Sequence, residues 1–158
     1  MNGHARFMAR AIELARTGSA AGHGGPFGCV VVKDGEIVGE GFNQVLSAGD
    51  PTAHGEMVAI RDAARRLGTH DLRGCTVFNI SVPCPMCLAA MYWARVDAVH
   101  YCCKPADAAA IGFDNAEIAL QLARPVEAQS LPVREIPELY AQARAVYDDW
   151  ARANGRIY

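Results

Sequence analysis

The sequence predicts an α/β fold: a mixed sheet of five strands with helices on its flanks. Three observations predict it. Segments with a helical apolar period alternate with short apolar runs rich in valine and cysteine. Asp34-Gly35 separates two of these runs in the manner of a tight hairpin turn. The later runs are joined through helical segments, the connection that parallel strands need.

Taken in order, Met1 to Thr17 reads as a helix, because Phe7, Met8, Ala11, Ile12, Leu14 and Ala15 form one broad apolar face. Gly18 to Gly25 is a loop of small residues. Phe27 to Lys33 reads as a buried strand, and Glu36 to Asn43 returns as the second after the turn. A loop through Asp50 and Pro51 leads to a helix from about Thr52 to Leu67, with Gly68 as its stop. Cys75 to Ile80 is a short strand. Pro85 to Ala94 is a helix whose first position suits proline, since the missing N–H has no intrahelical partner there. Val96 to Cys102 is another buried strand, expected to be parallel to its neighbours. Asp114-Asn115 can cap a helix to about Leu122, Val133 to Ile136 is a fifth short strand, and Pro137 to Asn154 is a closing amphipathic helix. Residues 1–158 fit one domain with a single core, without repeats or an interdomain linker.

Bulk composition excludes several classes of function. Hydrophobic residues make up 51% of the chain and charged residues 20%, the balance of a folded protein that is not disordered. No stretch approaches the roughly 20 apolar residues that span a bilayer, so no membrane partner is expected. The apolar residues of the first segment are interrupted by Arg6, Arg10, Glu13 and Arg16, which argues against a secretory leader and for a cytoplasmic protein. Six cysteines in that setting read as reduced thiols. Cys29, Cys75, Cys102 and Cys103, in or beside apolar strands, are expected as small buried hydrophobes. The triplet Asn79-Ile80-Ser81 fits a glycosylation acceptor but carries no implication inside a cytoplasmic strand. Net charge is −2 and the only lysines are Lys33 and Lys104. A nucleic-acid partner usually leaves a basic stripe, so its absence favours a small-molecule substrate.

Two motifs fall where a strand gives way to a helix. One is His54-Gly55-Glu56 and the other is Pro83-Cys84-Pro85-Met86-Cys87. Cysteines three apart share a helix face, so their sulfurs can converge on one ion. At a helix N-terminus, free N–H groups and the dipole favour thiolate. Imidazole and thiolate are zinc ligands, and His54, Cys84 and Cys87 make three, where a structural zinc site normally has four. The remaining position suits water, which zinc makes acidic near neutral pH. Glu56 is then placed to move protons beside the ion and not to bind it. The paired motifs match the H-x-E and P-C-x-x-C pattern of zinc-dependent base deaminases. A C-x-x-C pair by itself also fits a redox pair or a closed structural zinc site.

With these residues in view, the sequence resembles the bacterial guanine deaminases of the cytidine-deaminase superfamily. The resemblance rests on Gly24-Gly25-Pro26-Phe27-Gly28, Pro51-Thr52-Ala53-His54, Glu56, the Pro-Cys-Pro-Met-Cys segment, Tyr92-Trp93-Ala94-Arg95, Gly112-Phe113-Asp114 and a terminal tyrosine. It implies a three-layer α/β/α fold, Zn2+ as cofactor and a homodimer in which the C-terminal segment, about 125–158, crosses to the partner. It also implies that Asn43 hydrogen-bonds the base and that Phe27 and Trp93 help wall the pocket. Asp114 would contact the base and assist proton transfer, and Tyr158 would seal the site. Structural roles stand open for each: Asn43 as a strand end, Phe27 as core, Trp93 as helix packing, Asp114 as a helix cap with Glu117, and Tyr158 as a plain terminus. The sequence departs from the family at Gly55, where alanine is common and glycine should loosen the helix start. It departs again at Val82, where a glutamate is usual; that change bears on substrate choice more than on metal binding.

The reaction this implies is hydrolytic deamination of guanine to xanthine and ammonia, with Glu56 as the proton shuttle. Alternatives are deamination of another small heterocycle, such as an aminotriazine, cytosine, a pterin or guanosine. A tRNA adenosine deaminase and a non-enzymatic zinc module are the more distant ones. Ammonia release from a panel of bases separates them.

Overall fold

The computed structural model of the protein describes residues 3–158; Met1 and Asn2, at the start of the expected first helix, lie outside the described residues. Helix α1, Gly3–Ala20, buries Phe7, Ala11, Leu14, Ala15 and Gly18 along one face. Strands β1, Gly28–Lys33, and β2, Glu36–Phe42, form the expected hairpin. Asp34 and Gly35 both have positive φ, 51° and 79°, the turn whose twist matches that of paired strands. A short helix α2, Val45–Ala48, occupies the loop before α3, Gly55–Leu67. Then follow β3, Cys75–Ser81; α4, Pro85–Ala94; β4, Ala98–Cys103; α5, Pro105–Ala110; α6, Ala116–Leu122; and α7, Tyr140–Arg152.

The sheet has the order β2-β1-β3-β4. Strand β1 runs antiparallel to both of its neighbours, and only β3 and β4 pair in parallel. The sheet is therefore mixed, as expected, but its parallel part is a single pair. It also has four strands among the described residues, not five. Val133 to Ile136 forms no ladder, and Val133 and Ile136 are 58% and 64% exposed. Pro132 and Pro137 bracket that run, which leaves four residues too few and too exposed to hold an isolated strand.

Alternate residues of the central strands feed two apolar cores. Val30, Val32 and Phe78 meet Phe7, Ala11 and Leu14 of α1 on one face. Cys29, Val31 and Val77 meet Ala59 and Ala63 of α3 and Met91 and Ala94 of α4 on the other. This is the three-layer α/β/α arrangement. The approach of α3 to the sheet is close enough that a Cβ at Gly41 would stand 2.3 Å from the Gly55 carbonyl oxygen. Cys29 and Cys75 are buried as expected, but Cys102 is exposed and Cys103 only half-buried, because β4 is an edge strand.

The chain divides into two compact units, Met1–Ala116 and Glu117–Tyr158. The first holds the sheet and both motifs. The second consists of helical turns, short 3-10 segments at Val126–Ala128 and Pro137–Leu139, and α7. No described residue of the second unit is buried.

Candidate functional site

Both motifs sit at helix N-termini that follow carboxyl ends of strands, where sites form in open α/β sheets. His54 is the N-cap of α3 and Cys84 the N-cap of α4. Each has extended backbone, and neither uses its side chain to cap its helix. Pro85 at the first position of α4 and Cys87 one turn along complete the second motif. The structure brings these residues together: Nδ1 of His54 lies 3.6 Å from Cys84 Sγ and 3.5 Å from Cys87 Sγ. All three ligand atoms fall within 4.8 Å of one another.

The donor set fits zinc. Standard Zn–N and Zn–S lengths at a tetrahedral angle place nitrogen and sulfur roughly 3.6 Å apart, the spacing seen here. The sulfurs are also prepared for a cation. Hydrogen bonding to Cys87, and then to His54, pulls the Cys84 thiol down to about 4. Cys87 is pushed far up, first by its bond to Cys84 and then by burial. The adjacent Cys84 sulfur raises His54 in turn, chiefly through their hydrogen bond. A divalent cation displaces protons from such a set and satisfies all three donors.

Glu56, two residues after His54, is buried at 5% exposure and is not part of the metal-competent group. Burial is the main force pushing its carboxyl upward. Its Oε1 accepts a 2.9 Å hydrogen bond from Nδ2 of Asn79 on β3. Asn79 is a residue that sequence reasoning passed over. It stood only as a glycosylation triplet on a strand, and at 1% exposure it is inaccessible to such modification. An amide in the same alternating row as Cys75 and Val77 was the available signal. Gly55 also proves different from expectation. Its helix start is not loose: a Cβ there would lie 2.8 Å from the Phe27 carbonyl oxygen, so glycine permits α3 to press against the start of β1.

Of the expected substrate-binding residues, Asn43 and Phe27 lie at this end of the sheet, joined by a 2.9 Å bond from the Asn43 N–H to the Phe27 carbonyl. Asn43 is buried, and its Oδ1 accepts the Val45 N–H at the start of α2. Phe27 packs edge-on against Phe113, ring centroids 5.0 Å apart, which draws the loop carrying Asp114 to β1. Asp114 Oδ1 accepts the Ala116 N–H, so the capping role is realised at the start of α6. Trp93 lies on α4, 70% exposed, beside a groove with Ala89, Tyr92 and Arg95. The inner face of that helix carries Cys87, Met91 and Ala94. Tyr158 belongs to the second unit and is 70% exposed. Val82 is half-buried, and its backbone N–H bonds the Cys103 carbonyl.

A sheet with His54, Cys84 and Cys87 gathered at two helix starts, and a buried carboxylate beside them, defines a class: the chain belongs to the cytidine and deoxycytidylate deaminase family, whose zinc-binding region it matches over residues 1–103. It is a zinc-dependent hydrolytic deaminase. Within that class it is similar to the guanine deaminase of Bacillus subtilis, 47% identical over 133 residues that span 84% of this chain and 85% of that relative. An X-ray structure of guanine deaminase from Bacillus subtilis superposes with a TM-score of 0.93 at 43% identity, covering 100% of this chain and 99% of the other. The guanine deaminase from Nitrosomonas europaea superposes with a TM-score of 0.66 at 33% identity, over 69% of this chain and 63% of that one. A tRNA-specific adenosine deaminase of Aquifex aeolicus is 43% identical over 76 residues, 48% of this chain and 50% of the relative.

Proposed function

We infer that the protein hydrolyses guanine to xanthine and ammonia. The observation that carries this assignment is the likeness to the Bacillus subtilis guanine deaminase along essentially the whole of both chains. The tRNA-specific relative is matched over about half its length only. The scarcity of lysine and the net charge of −2 also suit a free base better than a polynucleotide.

Nδ1 of His54 and the sulfurs of Cys84 and Cys87 would hold zinc, which would supply Lewis-acid activation of water near neutral pH. Glu56 takes one proton from the attacking water and passes it to the ring nitrogen next to the carbon bearing the amino group, while the water oxygen bonds to that carbon. The second proton of that water moves to the amino group, the C–N bond breaks, and ammonia leaves as the C=O of xanthine forms. Burial suits this task, because a carboxyl pushed upward from its ordinary range takes up a proton more readily than an exposed one. Asn43 donates to the base from the amide nitrogen left over after its oxygen is bound to Val45. Phe27 walls the pocket, and Asp114 contacts the base and assists the proton transfer through the carboxylate oxygen not engaged with Ala116.

The protein acts as a homodimer. Support comes from the second unit, which exposes Tyr140, Val146, Tyr147 and Trp150 and buries none of its own residues. Apolar surface of that extent marks a contact with another chain. Residues 125–158 cross to the partner, where Tyr158 seals the site, and Trp93 helps Phe27 wall the pocket. The setting is the cytoplasm, consistent with free thiols, and no helix of the described residues is long and apolar enough to cross a membrane. The product places the reaction in purine breakdown.

An ammonia-release screen with zinc-loaded protein tests the substrate across purines, pyrimidines, triazines, pterins and nucleosides. Guanine is expected to be turned over fastest; release from another base with guanine inert overturns the assignment. In the same assay Glu56→Gln should retain zinc and lose roughly 10²–10⁴-fold in turnover. Full activity in that variant would remove Glu56 as the shuttle.

A further inference from the structure

We propose that Asn79 is a positioning residue for deamination: its side-chain amide fixes Glu56 by one carboxylate oxygen so that the other oxygen carries the proton. This rests on Glu56 being the shuttle. Asn79 lies near the carboxyl end of β3, at 1% exposure, on the sheet face that Val77 shares with α3 and α4. Its Nδ2 donates twice, to Glu56 Oε1 at 2.9 Å and to the Ser81 carbonyl oxygen at 2.7 Å. Both neighbours are acceptors, so the amide can face them only with its NH2 side.

That orientation leaves Asn79 Oδ1 buried with no hydrogen-bond partner among the described residues. A buried acceptor without a partner weakens a fold, and an apolar side chain of similar volume avoids the loss. The position is therefore poorly chosen for stability. It is well chosen for Glu56, because it adds a directed N–H donor on Oε1 to the contact the carboxyl already makes with Cys87. An N–H donor on Oε1 locks the carboxylate plane and leaves Oε2 as the basic oxygen. The anchor on Ser81 ties that donor to the strand that leads directly into Cys84, so Glu56 and the metal ligands share one frame. Outer residues of this kind typically matter by about 10–100-fold.

Asn79→Leu and Asn79→Asp, compared with the parent and with Glu56→Gln, test the proposal. Leucine removes the donor and the unpartnered acceptor together; aspartate keeps the shape and replaces the donor by oxygen. Both are expected to lower kcat about 10–100-fold, with KM within about twofold and zinc content unchanged. Asn79→Leu should melt no lower than the parent. Added to Glu56→Gln, Asn79→Leu should lower the residual rate no further, since two residues acting through one carboxylate are not additive. An unchanged kcat in both variants overturns the proposal, as does a kcat loss matched by loss of zinc or of melting temperature in both. An additive double variant overturns it as well. If Glu56→Gln itself stays active, the shuttle assignment fails first, and the two failures remain distinct.

Discussion

On the face of the sheet covered by α1, Val30, Val32 and Phe78 meet Phe7, Ala11 and Leu14, and the polar rings of His4 and His100 pack against the Phe78 ring. On the other face the same two strands present Cys29, Val31 and Val77 to α3 and α4, but the row on β3 continues into Asn79 and Ser81 and reaches Glu56. The two faces use alternate residues of identical backbone. The first is optimised for buried area. The second gives up some of that area at its carboxyl end, where two helix N-termini supply N–H groups and a favourable field for thiolates. A buried amide, a buried carboxyl and two thiols of opposite shift collect there because the site needs them, not because the core does.

Experiments that separate the two faces sharpen this contrast. The largest effect is expected from Cys87→Ala or from chelation, which should abolish turnover and metal uptake. The zinc-free parent should also melt lower, because a ligand bound only to the folded state stabilises it. Retention of a full zinc equivalent by the variant would show that a different set of atoms holds the ion. On the α1 face, Phe78→Ala removes one of the largest buried side chains and should cost about 3–5 kcal/mol in denaturant unfolding. Activity per folded molecule should stay near the parent; a selective loss of kcat would mean the faces are not independent.

The smallest effect belongs to the rim. Arg10 bonds Glu40 at 2.8 and 2.9 Å, joining α1 to β2. That hydrogen bond is the main force holding the Glu40 carboxyl below its usual range, against some burial. Because the folded state prefers the ionised form, the stabilisation is present above the unfolded carboxyl value and fades as pH falls through the lower folded one. Both side chains are partly exposed, so Glu40→Gln should lose only about 0.5–1 kcal/mol near pH 7. The melting-temperature gap to the parent should close as acid is added. A gap that widened in acid would contradict the sign.

Much of the site was legible in the sequence because its chemistry is local. His54 with Glu56, and Cys84 with Cys87, lie within one turn of a helix, and proline and glycine mark where those helices begin and end. The hairpin was legible for the same reason, since Asp34-Gly35 sets its own backbone. Asn79 was not legible: its partner Glu56 is on another element, and only strand pairing and helix docking bring the two within hydrogen-bonding distance. Gly55 misled in the same way. Its lack of a side chain looked like looseness, whereas it admits a neighbour that the sequence does not name.

The sequence by itself determined which residues could bind a metal, where the helices and the hairpin start, and which faces are apolar, because each follows from the period and chemistry of adjacent residues. Tertiary structure alone decided that β1 pairs antiparallel with β3, that Val133 to Ile136 stays out of the sheet, and that Asn79 meets Glu56. Those outcomes depend on which distant segments bury one another, and a linear pattern specifies each segment's appetite for a partner but not the partner itself.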